Sequence, residues 1–476
     1  MSKITELFKE QPVIIDLGIE SFQEELVEQQ VQATYLNWAP PGRGKASILA
    51  ALEKIETPEN LEKIKKANEE AVHRIISSQI SLIGYDQAIN VVPGMTKNTI
   101  LHAGPPITWD KMNGPMKGAV KGALVFEGLA KDLDDAEKVA ASGEIIFSPC
   151  HEHQCVGSMA GVTSASMYMH IVENKTYGNL AFTNLSEQMS KILRMGANDD
   201  SVIERLIWMR DVFGPILRDA MKLCTEGIDL KHMLAQALHM GDECHNRNNA
   251  GTTLLIQALT PYIIQTDHSI EAMKEVFDFV ASSDYFSGPT WMAMCKAALD
   301  SAVGIPYSTV VTTMARNGTE FGIHISGIEG NPWFVGPSQK VIGPMFAGYK
   351  PEDAGLDIGD SAITETYGIG GFAMAAAPAI VALVGGTIED ALRFSMEMQG
   401  ITTAENPNIT IPTLNFMGIP SGIDSLKVIQ TNTLPIINTA IAHKEAGIGM
   451  IGAGITHPPM EAFEKAIIAF SEQLYK

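Results

Sequence analysis

The ten residues Met240-Gly-Asp-Glu-Cys-His-Asn-Arg-Asn-Asn249 form a dense polar stretch between two apolar segments. The flanking segments repeat apolar side chains with the period of an α-helix, which predicts that the stretch is helical as well. On that helix Glu243 and Arg247 would pair at a spacing of four residues. The simplest interpretation is a solvated helix face with one ion pair. Solvated faces usually carry Lys and Glu, whereas this stretch carries His, Arg and Asn, whose directional hydrogen bonds favour a functional role.

Periodicity in the rest of the chain predicts a multidomain protein that combines α/β and α+β domains. A helical pattern fills 199–303, and strand patterns lie on both sides of it. The predicted domains are a Rossmann-like α/β domain at 1–100, an α+β domain at 101–195, a helical domain at 196–304 and a second α+β domain at 305–476. The helical domain would hold the polar stretch rigidly against the sheets.

The Rossmann-like assignment rests on the N-terminal segment. Apolar runs at 12–18 and 31–38 flank a helical pattern at 20–29, which together make one β-α-β unit. Such units build parallel sheets whose ligand sites lie at the carboxyl ends of the strands, so Gly18 and the segment after Trp38 are candidate site edges. The fingerprint G-x-G-x-x-G does not occur in this unit, so nucleotide binding is only weakly indicated.

Composition and charge narrow the function classes. The chain has 476 residues, with 34 Lys and Arg against 55 Asp and Glu, and a net charge of −21. This charge disfavours binding to nucleic acids or to anionic membranes. Five cysteines and a charged N-terminal sequence predict a reduced, cytoplasmic protein. The uncharged segment 366–388 is long enough to span a bilayer, but its Gly, Ala and Pro content favours a buried helical hairpin.

A second polar cluster, Cys150-His-Glu-His-Gln-Cys155, follows a predicted strand at 144–148. If the backbone stays extended, His151 and His153 point the same way. The pair could ligate zinc together with a neighbouring cysteine, or it could bind an anion and transfer protons. Because neither H-E-x-x-H nor a double C-x-x-C occurs, a metal site is not favoured.

The segment Gly114-Pro-Met-Lys117 has the sequence of a helix start, because Pro115 suits the first turn. Free amides there, with the lysine close by, would form an anion pocket. The alternative is close helix packing permitted by Gly118 and Gly122. His102, at the end of a predicted strand, precedes this segment.

Arg316-Asn-Gly318 joins predicted strands at 308–315 and 319–325. Asn-Gly is a strong hairpin signal, so a simple turn explains the segment, although Arg316 and Asn317 could also face a ligand. Glu365 opens the uncharged segment and would be costly to bury without a partner. We therefore predict an ion pair between Glu365 and either Arg316 or Arg247.

Four segments together resemble the YlbE/YahG-like family, which includes the AllG-like subunits. They read LHAGPPITW at 101–109, GPMKGA at 114–119, MGDECHNRN at 240–248 and DSAITETYGIG at 360–370. The resemblance runs over nearly the whole chain and implies a fold that combines a Rossmann-like domain with α+β and small helical domains.

The same resemblance implies one subunit of the oxamate carbamoyltransferase complex of allantoin breakdown. That complex exchanges a carbamoyl group between oxalurate and phosphate, which gives oxamate and carbamoyl phosphate. No cofactor or metal is expected. The expected partners are a small anion, either carbamoyl phosphate or an oxamate-like molecule, and partner subunits or further copies of the chain. The resemblance supplies no catalytic residue.

Two departures from the family pattern bear on the substrate. Gly157-Ser-Met-Ala-Gly161 stands where the family has Gly-Pro-Met-Ala-Gly. Ser186-Glu-Gln188, before Leu193-Arg194, stands where the family has Asn-Glu-Gly. These departures allow a substrate that differs from oxamate.

The residues themselves supply the candidates for a carbamoyltransferase site, which needs anion-binding groups, donors on the carbamoyl oxygen and a group that accepts a proton. The candidate catalytic residues are His245, Arg247, Glu243, His151 and His153. The candidate substrate-binding residues are Asn246, Asn249, Arg316, Asn317, Glu365, Gly114, Met116, Lys117 and His102. Alternative functions are a noncatalytic scaffold for partner subunits, an anion- or nucleotide-binding subunit, and a zinc-dependent hydrolase at the two histidines of the second cluster.

Overall fold

Small sheets surrounded by helices make up the computed structural model, which describes residues 14–17, 20–36, 38–188 and 191–474. The strands are β1 (Ile14–Leu17), β2 (Ala33–Leu36), β3 (Ile80–Gln87), β4 (Thr99–His102), β5 (Ile146–Pro149), β6 (Cys155–Val156), β7 (Tyr168–Asn174), β8 (Leu180–Asn184), β9 (Ile228–Asp229), β10 (Val311–Asn317), β11 (Glu320–Ile325), β12 (Phe334–Pro337), β13 (Ile358–Gly359), β14 (Thr402–Ile411), β15 (Met417–Ile423), β16 (Ile437–Ala442) and β17 (Met450–Thr456). The helices are α1 (Glu20–Glu28), α2 (Ala46–Ile55), α3 (Pro58–Ser77), α4 (Ala88–Val91), α5 (Gly114–Phe126), α6 (Leu133–Ala141), α7 (Asp200–Trp208), α8 (Gly214–Leu223), α9 (Leu230–His239), α10 (Asn249–Ile263), α11 (Ile270–Ala281), α12 (Gly288–Asp300), α13 (Ile363–Tyr367), α14 (Val381–Val384), α15 (Ile388–Met398), α16 (Ser425–Thr431) and α17 (Met460–Gln473). The chain is a mixed α/β, multidomain protein, and the domain boundaries given above stay predictions.

Two larger sheets carry much of the β-structure. A five-stranded sheet has the order β6-β8-β7-β3-β9, and a four-stranded sheet has the order β12-β11-β10-β13. β4 and β5 form a separate parallel pair, in which His102 lies opposite Pro149. The β10–β11 hairpin confirms the turn predicted from Asn-Gly. Helices α7 to α12 fill most of residues 200–300, interrupted by the short strand β9, and confirm the predicted helical pattern.

The N-terminal β-α-β unit is present as predicted. β1 and β2 pair in parallel, with Leu17 opposite Leu36, and α1 connects them. Among the described residues this parallel sheet has two strands, so a larger Rossmann-like sheet stays a prediction. Gly18, one of the candidate site edges, lies outside the described residues, as do positions 12 and 13.

The polar stretch at 240–249 is a loop, so the prediction that it is helical was wrong. α9 ends at His239 and α10 begins at Asn249. Between them, Gly241 (φ +96°) and Cys244 (φ +63°) adopt the left-handed conformation, which an α-helix does not contain. The apolar periods on the two sides therefore belong to two separate helices that pack on the core. Neither period continues through the polar stretch.

Glu243 explains why this stretch leaves the helical path. Its carboxylate accepts hydrogen bonds from the backbone N–H groups of three residues that follow it in the loop. The distances are 3.0 Å to His245, 2.7 Å to Asn246 and 2.6 Å to Arg247. A side chain that satisfies nearby amides competes with helix formation. The predicted pair of Glu243 with the Arg247 side chain is wrong, because that guanidinium donates to the Gly241 carbonyl at 2.9 Å.

The uncharged segment 366–388 does not form the predicted helical hairpin. α13 ends at Tyr367, before Gly368 (φ +119°), and Gly370 (φ +63°) opens a series of short turns that continues through Pro378. Left-handed glycines and an internal proline interrupt an α-helix, so the segment folds in short pieces. None of the helices in the described ranges is long and apolar enough to cross a membrane.

Candidate functional site

Several segments that lie far apart in the sequence line one cavity. Its enclosed space is about 10 Å³, room for about one water molecule, and the hollow measures about 350 Å³ when the open solvent at its mouth is included. A ligand larger than water would therefore displace side chains of the cavity wall. The lining residues are Ser158, Met159, Gln188, Ile192, Arg194, Met195, His245, Asn246, Tyr285, Ser361, Thr439 and Ala440. They come from the polar loop, from the turn after β6, from the segment before α7, from the loop before α12, from the loop after β13 and from β16. The fold thus joins the polar loop to the segment that follows the second polar cluster.

Arg194 brings a buried positive charge to this cavity. Its side chain is 2% exposed, and its Nε donates to Glu187 Oε1 at 3.0 Å. Its Nη1 donates to the hydroxyl of Ser158. Its Nη2 has no hydrogen-bond partner within the described ranges. Because an unpaired buried donor is costly, this nitrogen is available to the carboxylate or carbonyl oxygen of a bound molecule.

Two amide side chains also present an unpaired atom at the cavity. Oε1 of Gln188 and Nδ2 of Asn246 are buried and have no hydrogen-bond partner in the part of the chain that the structure describes. Buried polar atoms are almost always hydrogen-bonded, and these three unpaired atoms belong to residues that line one cavity, which suits a polar ligand. Arg194 and Asn246 offer donors, and Gln188 offers an acceptor.

His245 and Glu365 form a buried pair at the edge of the cavity. His245 Nδ1 lies 2.8 Å from Glu365 Oε1, and the two side chains are 4% and 0% exposed. The same oxygen accepts the backbone N–H of Gly371 at 2.8 Å, and Glu365 Oε2 accepts the hydroxyl of Thr364 at 3.0 Å. This arrangement places the imidazole proton on Nδ1 and leaves Nε2 free to accept a proton. Glu365 therefore pairs with His245, and the predicted ion pair with Arg316 or Arg247 is wrong.

Glu243 lies beneath the loop and shapes it. Both of its carboxylate oxygens are occupied by backbone N–H groups of the loop, so the side chain positions His245 and Asn246. Burial raises the pKa of the Glu243 carboxyl to about 7. The sequence predicted a catalytic role for Glu243, whereas the structure places it among the groups that hold the loop.

Arg316 lies behind the cavity wall and is fully paired. Asp357 accepts its Nε and Nη2 at 2.7 and 2.8 Å, a bidentate ion pair with both side chains buried. Its remaining hydrogen bonds go to Gly359, Ser361 and Thr439, of which the last two line the cavity. Arg316 thus supports the cavity wall. Asn317 holds the hairpin turn, since its Oδ1 accepts the N–H groups of residues 319 and 320.

The two histidines of the second polar cluster point to different partners. A 3-10 turn, Cys150–His153, replaces the extended backbone that the prediction required. His153 Nδ1 lies 2.6 Å from the Pro93 carbonyl, whereas His151 Nε2 lies 3.7 Å from Asp360 Oδ1. Neither lines the cavity, and burial lowers the pKa of His151 well below its usual value. No three His, Cys, Asp or Glu side chains of the described residues come together as a metal site would need.

Asp360 ties the second polar cluster to the cavity. Its Oδ1 accepts the Gly104 N–H at 2.7 Å, and its Oδ2 accepts the Gly157 N–H at 2.9 Å. Ser158, which follows Gly157, and Ser361, which follows Asp360, both line the cavity. Burial raises the pKa of the Asp360 carboxyl to about 7. The carboxylate therefore fixes two wall segments relative to each other.

Arg247 and Asn249 line a second hollow, of about 660 Å³ including open space, on the outer side of the polar loop. Asn246 lines both this outer hollow and the cavity. Asn249 Nδ2 donates to Asp284 at 3.2 Å. The two side chains thus lie next to the cavity but do not enter it.

The helix start at Gly114 is packed against the rest of the chain. Asn113 caps α5, because its side chain accepts the Met116 N–H at 3.0 Å. A Cβ on Gly114 would lie 2.4 Å from the Lys444 carbonyl oxygen, and Lys117 lies over the Trp109 ring. The geometry is that of close helix packing, the alternative left open above, and none of these residues lines the cavity.

His102, at the end of β4, is also separate from the cavity lining. It is buried, and its Nδ1 lies 2.9 Å from the Ala103 carbonyl oxygen. Burial lowers the pKa of this imidazole to about 4, which keeps the side chain neutral at physiological pH.

Sequence reasoning did not select Arg194, Gln188 or Ser158 as site residues. A signal for them existed, because the two departures from the family pattern fall at Ser158 and at residues 186–188, just before Arg194. Both departures lie at the cavity or beside it. The departures from the family pattern and the polar stretch therefore both contribute residues to the cavity lining.

Comparison with known proteins supports the family resemblance. The family model of the oxamate carbamoyltransferase subunit AllG matches residues 145–361, a range that contains most of the cavity residues. The uncharacterized protein YahG of Escherichia coli K12 is 71% identical over 467 residues and covers 98% of both chains. The oxamate carbamoyltransferase subunit AllG of the same organism is 45% identical over 413 residues, which are 86% of this chain and 98% of that protein.

A solved structure shows that the fold is shared. The crystal structure of a conserved protein of unknown function from Enterococcus faecalis V583 matches with a TM-score of 0.86 and 71% sequence identity. The match covers 87% of this chain and 98% of that one. With relatives this similar over nearly their whole length, the chain belongs to the AllG family.

Proposed function

We propose that this chain is a subunit of a carbamoyltransferase and that its cavity binds the carbamoyl acceptor, a small carboxylate of the oxamate type. The observation that carries the proposal is the set of unpaired buried atoms on Arg194, Asn246 and Gln188 around one cavity, beside the His245–Glu365 pair. The name of the relative AllG, an oxamate carbamoyltransferase subunit, supplies the reaction class.

The donors of the cavity suit the acidic end of such a molecule. Arg194 Nη2 would bind one carboxylate oxygen, and Asn246 Nδ2 would bind a second oxygen of the ligand. Because Arg194 is already paired with Glu187, a bound carboxylate would share its positive charge. The charge-assisted contact with Nη2 would therefore orient the ligand carboxylate as well as attract it.

His245 would accept the proton that the acceptor nitrogen loses. In the transfer to oxamate, which is the reverse of the breakdown of oxalurate, the nitrogen of the acceptor attacks the carbamoyl carbon of carbamoyl phosphate and forms a C–N bond. The bond from that carbon to the phosphate oxygen breaks, and its electron pair leaves with phosphate. The proton of the attacking nitrogen passes to His245 Nε2, while Glu365 stabilises the imidazolium that forms.

The wider proposal follows the family. The carbamoyltransferase would belong to nitrogen catabolism from allantoin, in the cytoplasm, and would include partner subunits beside this chain. The outer hollow at Arg247 is adjacent to the cavity through Asn246, so carbamoyl phosphate would approach from that side or from a partner subunit. We also propose that residues 1–100 form the Rossmann-like domain that the sequence predicts.

Calorimetric titration of the full chain with oxamate tests the proposal. We expect binding by the wild-type chain and a loss of affinity of at least about tenfold in Arg194→Lys, because lysine keeps the charge beside Glu187 but cannot make the three separate contacts. Arg205→Lys, at an exposed arginine outside the cavity, is the matched control and keeps wild-type affinity. Equal affinity in wild type and Arg194→Lys would exclude the proposed ligand position.

A further inference from the structure

The side-chain amide of Gln188 is held in one orientation. Its Nε2 donates to the backbone carbonyl of Phe279 at 2.8 Å, and its own backbone N–H donates to the Ser186 hydroxyl at 3.1 Å. Because a carbonyl can only accept, the Phe279 contact identifies the amide nitrogen and leaves Oε1 as the other atom. The backbone of Gln188 has φ +73°, a conformation that residues with a side chain rarely adopt. The contact with Phe279 thus orients the amide, and the contact with Ser186 holds the backbone that carries it.

The free atom of this amide is an acceptor at the cavity. Oε1 of Gln188 is buried and without a hydrogen-bond partner in the described ranges, and Gln188 lines the same cavity as Arg194 and His245. A neighbouring donor would normally satisfy such an oxygen. A ligand that satisfies it must carry an N–H or O–H group, whereas a bare carboxylate oxygen in the same place would repel it.

We propose that Gln188 is a specificity-determining residue, which selects carboxylates that carry an N–H group next to the acid and rejects dicarboxylates. The proposal rests on the proposed function, since it assumes that the cavity binds the carbamoyl acceptor. A carbamoyl acceptor must carry an N–H, because its nitrogen loses a proton when the C–N bond forms. One N–H of a primary carboxamide would bind Gln188 Oε1, and the other would point to His245 Nε2. The contact that selects the acceptor therefore also orients its nitrogen.

Oxamate and oxalate are the matched pair of ligands for a test. The two have nearly the same size, and they differ in that oxalate has an oxygen where oxamate has its NH2 group. We expect the wild-type full chain to bind oxamate about ten- to a hundredfold more tightly than oxalate, measured by calorimetry at one pH and ionic strength. In Gln188→Met, which keeps the length of the side chain and removes the acceptor, this ratio should fall to about threefold or less.

Gln399→Met is the control variant. Gln399 also donates its side-chain amide to a backbone carbonyl, that of Gly418 at 3.2 Å, but it does not line the cavity. The control should keep the wild-type ratio. If Gln188→Met does not fold, as judged by its thermal unfolding, wild-type binding of N-methyloxamate and N,N-dimethyloxamate replaces it, because only the first keeps an N–H. Tighter binding of the first supports the role of Gln188, and equal binding overturns it.

The outcomes separate this inference from the function on which it rests. If wild type and Gln188→Met prefer oxamate by the same factor, or if wild type binds oxamate and oxalate equally, the role of Gln188 is overturned while the cavity remains an anion site. If the wild-type chain binds neither molecule, the proposed function and the role of Gln188 both fail.

Discussion

Arg194 and Arg316 show how two equally buried arginines serve different purposes. Arg316 is satisfied by Asp357 and by oxygen atoms of the cavity wall, so it can only support structure. Arg194 is satisfied at Nε and Nη1 but keeps Nη2 unpaired. A buried charge is stable only when it is paired, and an open donor on a paired charge is a binding site. The two arginines therefore differ in whether Nη2 has a hydrogen-bond partner, although their residue type and burial are the same.

At this scale we predict that Glu365→Gln lowers kcat for carbamoyl transfer, in the chain reconstituted with its partner subunits, by about a hundredfold or more. The amide removes the charge that stabilises the imidazolium of His245 and no longer fixes the proton on Nδ1. The affinity for oxamate should change much less than kcat, because Glu365 does not line the cavity. Steady-state kinetics and calorimetry measure the two quantities.

Glu464→Gln is the control for this prediction. Glu464 is also a mostly buried carboxylate in an ion pair, with Lys45 at 2.8 Å, but it lies in α17 outside the cavity lining. Its variant should keep wild-type kcat. An unchanged kcat in Glu365→Gln would show that the His245–Glu365 pair has no part in proton transfer.

The roles of individual atoms could not be read from the sequence. The chain offers many polar residues near 240–249, and His245 and Asn246, which the sequence predicts as site residues, both line the cavity. Which donors stay unpaired depends on contacts such as Arg194 with Glu187 and Ser158, the second of which joins residues 36 positions apart. Such contacts appear only after the chain has folded.

At the scale of elements, the strands and helices with regular apolar period were predictable. The hairpin β10–β11, the unit β1-α1-β2 and the start of α5 lie where the period and the turn residues indicated. The polar loop was not predictable in this way. The sequence shows the apolar period of α9 and α10, but it does not show that the Glu243 carboxylate accepts three backbone N–H groups in the loop between these helices. Local hydrogen bonds of one carboxylate thus overrode the pattern on both sides.

The start of α5 gives a prediction at this scale. Asn113→Ala removes the side chain that caps the Met116 N–H, so we expect the free energy of unfolding to fall by about 1 kcal/mol. Urea denaturation measures the loss. Oxamate affinity should stay at the wild-type value, because this helix start does not line the cavity. A strong loss of affinity in a folded variant would instead support the anion pocket that the sequence suggested.

At the scale of the whole molecule, buried titratable groups determine how stability depends on pH. Burial lowers the pKa of four histidines, to about 4 for His102, about 3 for His170, about 4 for His324 and well below its usual value for His151. In the unfolded chain these side chains take up protons below about pH 6.5. Because the folded state binds fewer protons through them, stability decreases as the pH falls from 6.5 towards 4.

Glu243 and Asp360 act in the opposite direction. Burial raises both pKa values to about 7, so between about pH 4.5 and 7 the folded state holds two protons that the unfolded chain releases. Asp242 and Asp424, whose pKa values burial also raises, act in the same direction as these two carboxyls. Each of the four histidines alone contributes a loss of roughly 1 kcal/mol per pH unit of acidification near pH 5.5. Urea denaturation at pH 6.5, 6.0 and 5.5 measures the net slope.

His170→Phe tests the origin of the slope. His170 packs against the rings of Tyr85 and Phe286, so phenylalanine fits the site and removes one titrating group. The dependence on pH should become weaker by about 1 kcal/mol per pH unit, whatever the variant does to stability at pH 7. A slope that is the same in wild type and His170→Phe contradicts the assignment.

A crystal structure of the full chain soaked with oxamate is the most direct test of the central claim, that one cavity assembled from distant segments binds the acceptor. We predict density for oxamate in this cavity, with its carboxylate at Arg194 Nη2 and its carboxamide between Gln188 and His245. Oxamate bound elsewhere, for example at the start of α5 or at Arg247 in the outer hollow, with the cavity unchanged, would contradict the account.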